Sequence, residues 1–352
     1  MATAFQRFDQ AIQSPYTRPA YHKYLKEFLE YCHKSSDELS IMDSKEIDGL
    51  IFDYIVHQKI RSEKGEISPN SFNVIFSPIQ LFLEQNDIVI NWKKLKRMYP
   101  RKKAPTNQSP YTNEDIQKML SGTTSLRNIA FVHFMASSAC RIGGIHSLKV
   151  EDIVPIEDGA VVTIYRDDIE EYKTCLTPEA LTAINNYLEF RNMMGHPVRP
   201  ESSLFCDKSN FKGVTYANSK DLIRNILQTA GLKRTIKGRT TRNGKSQNHA
   251  FRKRFETILV NANVHSKYIE YMMGHFEKQD RHYFKPTDDE LYQNFKKAIP
   301  SLVIDNSIRL QEENKLKEQE IKKLGVEKDE RISSLEYVVS ELAKRLDSKL
   351  DS

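Results

Sequence analysis

The sequence has few cysteines, no long apolar run and no sign of a leader peptide. Its four cysteines are scattered and form no CxxC pair, which argues against a disulfide framework and a zinc knuckle: Cys32, Cys140, Cys175 and Cys206. No segment approaches the roughly 18 apolar residues that a membrane-spanning helix needs. The first residues, MATAFQRFDQ, lack the apolar core of a signal peptide. We therefore expect a cytoplasmic protein with no membrane partner.

Acidic residues are absent from two long stretches that are rich in Lys and Arg. Residues 91–103 hold seven basic residues, and residues 222–255 hold ten. Acid-free basic segments are typical of surfaces that contact phosphates, and two of them favour a polyanionic partner over a merely solvated face. The candidate phosphate-contacting residues are Lys93, Lys94, Lys96, Arg97, Lys102, Lys103, Arg239, Arg242 and Lys245.

Apolar periodicity predicts a mainly α-helical protein with two domains. Helical stripes run through residues 14–90, and Asp43 or Ser44 is suited to cap one of these helices. Three prolines among basic and polar residues predict an extended linker at residues 101–110: Pro100, Pro105 and Pro110. We therefore expect a helical domain at residues 1–100 and a second domain at residues 111–303.

The second domain is predicted to be mostly helical with one small β-hairpin. The apolar segment LRNIAFVHFMASSACRI predicts a buried helix that ends at Gly143-Gly144. The segments GAVVTIY and IEEYKTCL predict two short strands joined by a polar turn around Asp167. Further helical patterns follow, so the hairpin is expected to be a minor part of this domain.

Residues 304–352 form a highly charged tail with helical character. Its last part has apolar residues at spacings of three, four, three and four, which is a heptad seam: Ile332, Leu335, Val339, Leu342 and Leu346. This pattern predicts a coiled coil that assembles protomers. A single helix packed on its own domain is the alternative.

The stretch HAFRKRFETILVNANVHSKYIEYMMGHFEKQDRHYF, residues 249–284, contains residue types that core packing does not require. His249 and Arg252 are three positions apart, so they share a helix face. Gly274 is suited to end a helix in a left-handed cap, which places His275 at a helix terminus. Tyr283 follows. These positions are candidates for a chemical site.

Two further residues extend this candidate site. Arg141 lies where an apolar helix is expected to stop, and burying an arginine is costly unless it meets an anion. Lys173 lies in the second predicted strand, where a lysine can reach into a groove and act as a general acid.

Two arginines with two histidines suit a site that holds a phosphate group. A guanidinium offers a planar fork of donors that matches two phosphate oxygens, and two forks neutralise the charge that grows on a pentavalent phosphorus. Histidines add a donor or a proton relay. A tyrosine becomes a good nucleophile in such positive surroundings. A two-metal nuclease would need clustered carboxylates, which residues 222–255 lack, so we expect no metal ion and no cofactor.

The ordered set Arg141, Lys173, His249-x-x-Arg252, Gly274-His275 and Tyr283 resembles the tyrosine recombinase, or phage integrase, family. The segments INWKKLKR, SSACRIGGIHSLKVEDI and YFKPTDDELYQNFKKAIP are similar to archaeal members, as found in mobile elements. The resemblance covers roughly residues 15–300 and includes the arrangement of a helical domain followed by a catalytic domain.

The resemblance implies a mechanism and a set of partners. Tyr283 would attack a DNA phosphodiester to give a 3′-phosphotyrosine link, with no need for ATP. Arg141 and Arg252 would bind the nonbridging oxygens, supported by His249 and His275, and Lys173 would protonate the leaving 5′ oxygen. The partner would be double-stranded DNA at specific sites, around which the helical domain and the catalytic domain would form a C-shaped clamp. The resemblance also implies a tetramer that works on paired sites. Accessory DNA-bending proteins and a location at the nucleoid are also implied.

The sequence departs from the family pattern at two places. Many members carry an acid three positions after the first arginine, where this chain has Gly144, so support for the site must come from elsewhere or be missing. The tyrosine follows the Gly-His histidine by eight positions, whereas nine is common in bacterial members, where this chain has Phe284. Two alternatives stay open: a type IB topoisomerase, and a catalytically inactive DNA-binding or scaffold protein that acts through its coil.

Overall fold

The computed structural model describes residues 2–103, 109–207, 210–232, 235–237, 241–243, 245–275 and 284–311, with scattered positions from 314 to 335. The chain divides into two compact units, residues 1–107 with 234–243, and residues 108–233 with 244–352. None of the described helices is long and apolar enough to cross a membrane.

Helices dominate both units. The α-helices are α1 (Ala4–Gln10), α2 (Arg18–Cys32), α3 (Ser36–Ser40), α4 (Ser44–Glu63), α5 (Phe72–Glu84), α6 (Trp92–Lys96), α7 (Asn113–Ser121), α8 (Leu126–Ser138), α9 (Pro178–Met193), α10 (Tyr216–Thr229), α11 (His249–Asn261), α12 (Ser266–Met273), α13 (Asp288–Lys296) and α14 (Ile299–Leu302). The strands are β1 (Ile153–Ile156), β2 (Gly159–Ile164), β3 (Tyr172–Leu176), β4 (Thr235–Lys237) and β5 (Thr241–Asn243). The prediction of a mainly α-helical fold with a small sheet is confirmed.

In the first unit, helices α1–α6 pack around an aromatic core. Phe8, Phe28 and Phe82 are fully buried there, and Phe28 lies 5.2 Å from the ring of Tyr54. Polar caps set where the helices begin: the predicted cap Asp43 accepts a hydrogen bond from the Lys45 amide at the start of α4. Helix-terminal donors are thus satisfied while the apolar stripes pack together.

The core of the second unit is centred on α8, in which residues 130–138 are all buried. Beside it lies an antiparallel sheet in the order β1-β2-β3. Every residue of β2 is buried, because apolar groups cover both faces of the sheet. Val162 and Ile164 join the cluster around α8, whereas Val161 joins the cluster that contains Phe255 of α11.

Strand β3 presents its alternate residues to these two different surroundings. Tyr172 pairs with Ile164 and belongs to the cluster around α8. Lys173 pairs with Thr163, and Cys175, on the same face as Lys173, belongs to the other cluster. Two consecutive residues therefore serve opposite sides of the sheet.

The predicted end of the buried helix is wrong by several residues. Helix α8 ends at Ser138, and Ala139 takes the left-handed conformation with φ 50°. The Ser138 carbonyl accepts a hydrogen bond from Thr174 of β3 at 2.9 Å, a tertiary contact that replaces the next helical turn. Arg141 consequently lies on extended backbone beyond the helix.

The two predicted strands correspond to β2 and β3, and three strands were not predicted. β1 contains Pro155, which weakens its strand pattern, and it is stabilised by pairing with β2. In the tail, the described residues between 306 and 335 are helical. Val339, Leu342 and Leu346 lie outside the described residues, so the coiled coil stays a prediction.

Candidate active site

Arg252 lies on α11 and is 5% exposed. Its guanidinium donates from Nη1 to the Ala139 carbonyl at 2.7 Å and from Nη2 to the Met273 carbonyl at 2.8 Å. These carbonyls belong to the C-terminal ends of α8 and α12, where helix dipoles place partial negative charge. Two helix ends therefore hold one buried arginine, and no carboxylate among the described residues pairs with it.

Arg141 contacts the same turn. Its Nη2 donates to the Gly274 carbonyl at 2.6 Å, and its guanidinium carbon lies 5.7 Å from the centre of the Tyr172 ring. The Arg141 amide also donates to the Tyr172 hydroxyl at 3.3 Å. The successive carbonyls of Met273 and Gly274 thus bring the two predicted arginines together.

The turn after α12 depends on glycine. Gly274 ends the helix with φ 63°, in the left-handed region that the sequence predicted. The His275 amide then donates to the Glu270 carbonyl at 2.9 Å, which closes a Schellman-type cap. A Cβ on Gly274 would lie 2.7 Å from Cδ1 of Tyr172, so both backbone conformation and space require glycine.

His275 receives a hydrogen bond from Arg252, with 2.7 Å between Nη2 and the imidazole Nε2. A guanidinium can only donate, so Nε2 must accept, and the proton of the neutral ring is assigned to Nδ1. Partial burial is the largest cause that lowers the pKa of His275 below its ordinary value, and the positive charges of Arg252 and Arg141 lower this pKa further. His275 is therefore held neutral, with Nδ1–H as a donor.

His249 is the first residue of α11, one turn before Arg252, and its side chain is exposed. It lies close enough to contribute to the lowered pKa of His275. The helix thus presents a buried, fixed arginine and an exposed histidine on the same face, as their spacing predicted.

Lys173 binds a partner that the sequence analysis missed. Its Nζ lies 2.7 Å from Oδ1 of Asp288, the first residue of α13. Both side chains are about one-third exposed, at 33% and 36%. A carboxylate at a capping-box helix start was visible in the sequence, but its pairing with a strand residue 115 positions away was not.

Position 144 has no room for the acid that many family members carry there. A Cβ on Gly144 would lie 2.6 Å from Cγ2 of Ile164 and 3.1 Å from Sγ of Cys140. Burial raises the pKa of the Cys140 thiol to about 12, so this neighbour stays neutral. The space beside Arg141 is filled by apolar and uncharged groups.

The charge balance of the cluster is strongly positive. In the part of the chain that the structure describes, neither Arg141 nor Arg252 forms an ion pair. Burial lowers the pKa of Arg252, and the charge of Arg141 lowers it further. Two adjacent cations that only neutral acceptors hold are suited to bind an anion.

A family comparison identifies the second unit. The model of the phage integrase family matches residues 111–288, just over half of the chain, a range that contains all six predicted catalytic positions. The chain belongs to the phage integrase family. Its members are tyrosine recombinases, which are DNA strand-transferring enzymes. No curated protein matches this recombinase at a significant level.

Solved structures share the fold of this recombinase at low sequence identity. The XerH site-specific recombinase bound to its difH substrate matches with a TM-score of 0.51 and 16% identity, over 75% of each chain. A lambda integrase tetramer bound to a Holliday junction matches with a TM-score of 0.51 and 14% identity, over 80% of this chain and 76% of that one. A lambda integrase dimer on a COC′ core site matches with a TM-score of 0.50 and 14% identity, over 81% and 97%.

The predicted nucleophile, Tyr283, lies outside the described residues of this recombinase. The chain is described again from Phe284, whose ring packs edge-on against Tyr268 and Tyr271 of α12 at 5.1 and 5.9 Å. Phe284 stands where bacterial members commonly have the tyrosine, and here it is a packing residue.

The predicted phosphate-contacting residues separate into two groups. On α6 the recombinase buries Trp92 and Leu95 and leaves the cations exposed: Lys93, Lys94 and Lys96, with Arg97 just beyond the helix. Lys102 and Lys103 are also exposed. The Lys103 amide donates to the side-chain oxygen of Asn70, and the Asn70 side-chain amide donates to the Lys103 carbonyl. These six cations lie in the first unit on one short segment.

The other group is less well described. Lys245 binds the carboxylate of Asp115 and lies 5.9 Å from the centre of the Tyr111 ring, so its charge already has a partner in this recombinase. Arg239 and the side chain of Arg242 lie outside the described part of the structure. The contact of these three residues with DNA stays a prediction.

Among the described residues, no group of three or more His, Cys, Asp or Glu side chains is placed to hold a metal ion.

The residue that sequence reasoning missed most clearly is Tyr172, which contacts Arg141 and Gly274. The available signal was its position, because Tyr172 directly precedes the predicted Lys173 in the same predicted strand.

Proposed function

We propose that this chain is a site-specific DNA recombinase that cuts and rejoins DNA through Tyr283, without a metal ion or ATP. The observation that supports this best is the pair of guanidinium groups of Arg141 and Arg252. They are bound by successive carbonyls of one helix end and have no carboxylate partner among the described residues. Such a pair is suited to a phosphodiester whose negative charge grows during attack.

In the proposed reaction the Tyr283 hydroxyl attacks the scissile phosphorus. A bond forms between phosphorus and the phenolic oxygen while the bond from phosphorus to the 5′ oxygen breaks. The two arginines bind the nonbridging oxygens, and His275 donates from Nδ1. His249 takes the phenolic proton, and Lys173 gives a proton to the leaving 5′ oxygen. The 3′-phosphotyrosine keeps the energy of the broken bond, so a 5′ hydroxyl from another strand can complete the exchange.

The surroundings of other tyrosines support Tyr283 as the nucleophile. Tyr292 is fully buried, and its hydroxyl donates to Asp158 at 2.9 Å. Tyr172 is 2% exposed. Burial raises the pKa of both phenols above the ordinary value. A phenol that is buried and hard to ionise is unsuited to attack a DNA phosphate.

The ion pair between Lys173 and Asp288 fits a general acid that acts only on bound DNA. A partly exposed pair is held weakly, because solvent screens the attraction. A DNA backbone that enters the site would compete for the lysine ammonium. We expect Asp288 to release Lys173 when the 5′ oxygen takes its place.

The proposed partner is double-stranded DNA at specific sites, and the proposed assembly is a tetramer on paired sites. The exposed cations of α6 and residues 101–103 would contact the duplex from the first unit, and the candidate active site would contact it from the second. The XerH structure contains its difH substrate, and the lambda integrase tetramer is bound to a Holliday junction. Accessory DNA-bending proteins and a nucleoid location belong to the same proposal.

The tail is proposed to assist assembly. The described heptad positions Ile332 and Leu335 are 42% and 57% exposed, so their apolar side chains are available for a partner helix. Deleting residues 306–352 should weaken oligomer or synapse formation and spare binding to a single site. Sedimentation of the DNA complexes would measure both. Unchanged assembly of the protein that lacks residues 306–352 would contradict this part of the proposal.

The test of the chemistry is a covalent-trapping assay. Duplexes that the full chain binds are first enriched from a randomised library and then nicked at successive positions, so that cleavage releases a short fragment and cannot reverse. Wild-type protein and Tyr283→Phe are incubated with them in the presence of a metal chelator. A denaturing gel then separates any protein–DNA adduct.

The outcomes discriminate between the three functions. An adduct that requires Tyr283 and survives the chelator supports the proposed transesterification. Strand exchange between two bound sites then distinguishes a recombinase from a type IB topoisomerase, which would relax supercoiled DNA of any sequence. Binding without any adduct would favour an inactive DNA-binding protein and contradict the proposal.

A further inference from the structure

We propose that Tyr172 is the positioning residue that holds the two active-site arginines in place, beside a position where this chain has Gly144 and no space for an acid. The reaction assigned to these arginines rests on the proposed function. The contacts of Tyr172 are seen in the structure of the second unit and do not depend on which reaction the arginines serve.

Tyr172 holds Arg141 at both ends. Its hydroxyl accepts a hydrogen bond from the Arg141 amide at 3.3 Å, which fixes the extended backbone between α8 and the glycine pair. Its ring lies 5.7 Å from the guanidinium carbon of the same residue. The ring is 2% exposed, so this cation–π contact is largely desolvated and stronger than one on the surface.

The same ring supports the turn after α12. Ring atoms Cδ1, Cε1 and Cγ of Tyr172 would lie 2.7, 2.9 and 3.0 Å from a Cβ on Gly274. The ring therefore contacts the turn whose carbonyls accept from Arg141 and Arg252. Moving or removing the ring would shift the turn. The Met273 and Gly274 carbonyls would shift with it, and so would the positions of both guanidinium groups.

Nothing charged shares this task among the described residues. The Cβ direction of Gly144 is closed by Ile164 and Cys140, and Cys140 itself donates to the Arg141 carbonyl at 3.2 Å. Tyr172 thus supplies a neutral hydroxyl and a π face where a carboxylate would otherwise hold the arginine. A neutral support leaves the full positive charge of both arginines for the phosphate.

The chain offers a matched control for the loss of the Tyr172 hydroxyl. Tyr187 is 3% exposed, its hydroxyl accepts from the Cys206 amide at 3.2 Å, and its ring lies 5.8 Å from the guanidinium carbon of Arg191. Tyr187→Phe and Tyr172→Phe therefore each remove one buried hydroxyl that accepts from a backbone amide. Only the second lies at the candidate active site.

The first measurement needs no DNA. Hydrogen exchange of the Arg141 amide should become roughly fivefold to tenfold faster in Tyr172→Phe, as expected for the loss of one hydrogen bond. Tyr187→Phe should accelerate the Cys206 amide and leave Arg141 unchanged. Unchanged exchange at Arg141 in Tyr172→Phe would overturn the proposal whatever the catalytic results are.

The second measurement is single-turnover cleavage of the nicked duplex at saturating protein. Tyr172→Phe should bind this DNA with wild-type affinity and cleave it at least roughly fivefold more slowly, whereas Tyr187→Phe cleaves at the wild-type rate. Tyr172→Leu, which also loses the ring, should be slower still. Equal cleavage rates for Tyr172→Phe and Tyr187→Phe would overturn the positioning role.

Failure of the proposed function is distinguishable from failure of this inference. A wild-type protein that forms no adduct would contradict the proposed function, and the exchange of the Arg141 amide would still decide whether Tyr172 positions the arginine. A wild-type protein that cleaves normally, with a Tyr172→Phe variant that cleaves equally well, would contradict the inference alone.

Discussion

Replacing Gly274 with alanine should damage both the stability of the second unit and its candidate active site. The residue has φ 63°, a conformation that costs a non-glycine residue about 1–2 kcal/mol. The new Cβ would lie 2.7 Å from Cδ1 of Tyr172, a ring that is 2% exposed and cannot swing into solvent. Overpacking of this kind costs about 1–3 kcal/mol. We expect a total loss of about 2–5 kcal/mol in the free energy of unfolding.

The effect on cleavage should exceed the effect on the folded fraction. Relieving the clash requires the turn after α12 to move away from Tyr172, and the Met273 and Gly274 carbonyls move with it. Arg252 and Arg141 donate to these carbonyls at 2.8 and 2.6 Å, so their guanidinium groups must follow or lose a partner. A displacement of about 1 Å in a positioned catalytic group can reduce a rate about 100-fold.

Gly195→Ala is the control for this prediction. Gly195 also has a left-handed backbone, with φ 79°, but no heavy atom lies within 4 Å of the position of its Cβ. It should therefore lose only the conformational part, about 1–2 kcal/mol, and keep full cleavage activity. Urea unfolding and single-turnover cleavage are measured for both variants at a temperature where each is folded. Equal stability losses for Gly274→Ala and Gly195→Ala would refute the role assigned to the Tyr172 ring.

Three further predictions test other parts of the site. Lys173→Met should cleave ordinary DNA at least roughly 100-fold more slowly, as expected for the loss of a general acid. Its rate should recover on a duplex with a bridging 5′ sulfur, because a thiolate leaves without a proton. No recovery would argue against the general-acid role. The pKa of His275 is lowered by partial burial and by the two arginines, so the unfolded chain binds its proton more readily. Stability should therefore fall as the pH drops below 6.5, the ordinary value, whereas cleavage should fall only at a lower pH, where the imidazole of the folded protein takes up its proton. His275→Gln should reduce the pH dependence of stability in urea unfolding, and an unchanged profile would contradict the assignment. Gly144→Ala should lose about 1–3 kcal/mol by overpacking against Ile164. Gly144→Asp should cleave no faster than Gly144→Ala, and a gain of activity over alanine would show that the family's acid is accommodated after all.

Much of the helical architecture was predictable because apolar periodicity and caps are local. The start of α4 at Asp43 and the left-handed end of α12 at Gly274 follow from single residues whose conformational preferences are strong. The end of α8 was not predictable in this way. At this end the Ser138 carbonyl accepts a hydrogen bond from Thr174, which lies in β3 and 36 positions further along the chain. Local preference cannot anticipate a partner that folding alone brings near.

The candidate site shows the same division. The residue types Arg, Lys, His and Tyr in order were sufficient to predict phosphate chemistry, because ionisation and donor geometry belong to the side chains themselves. Asp288 and Tyr172 were missed as partners, because neither an acid at a helix start nor an aromatic residue in a strand is unusual by itself. Their roles arise from contacts with Lys173 and Arg141.

The sequence by itself determined that a mainly helical chain carries two arginines, two histidines, a lysine and a tyrosine whose side chains are suited to a phosphodiester, and the proposed chemistry rests on them. Only the tertiary structure decided how the arginines are held. Arg141 and the Gly274 carbonyl are 133 positions apart, and they meet because the ends of α8 and α12 pack around Tyr172. Backbone carbonyls are present at every residue, so no pattern of side chains indicates which of them will point into a site.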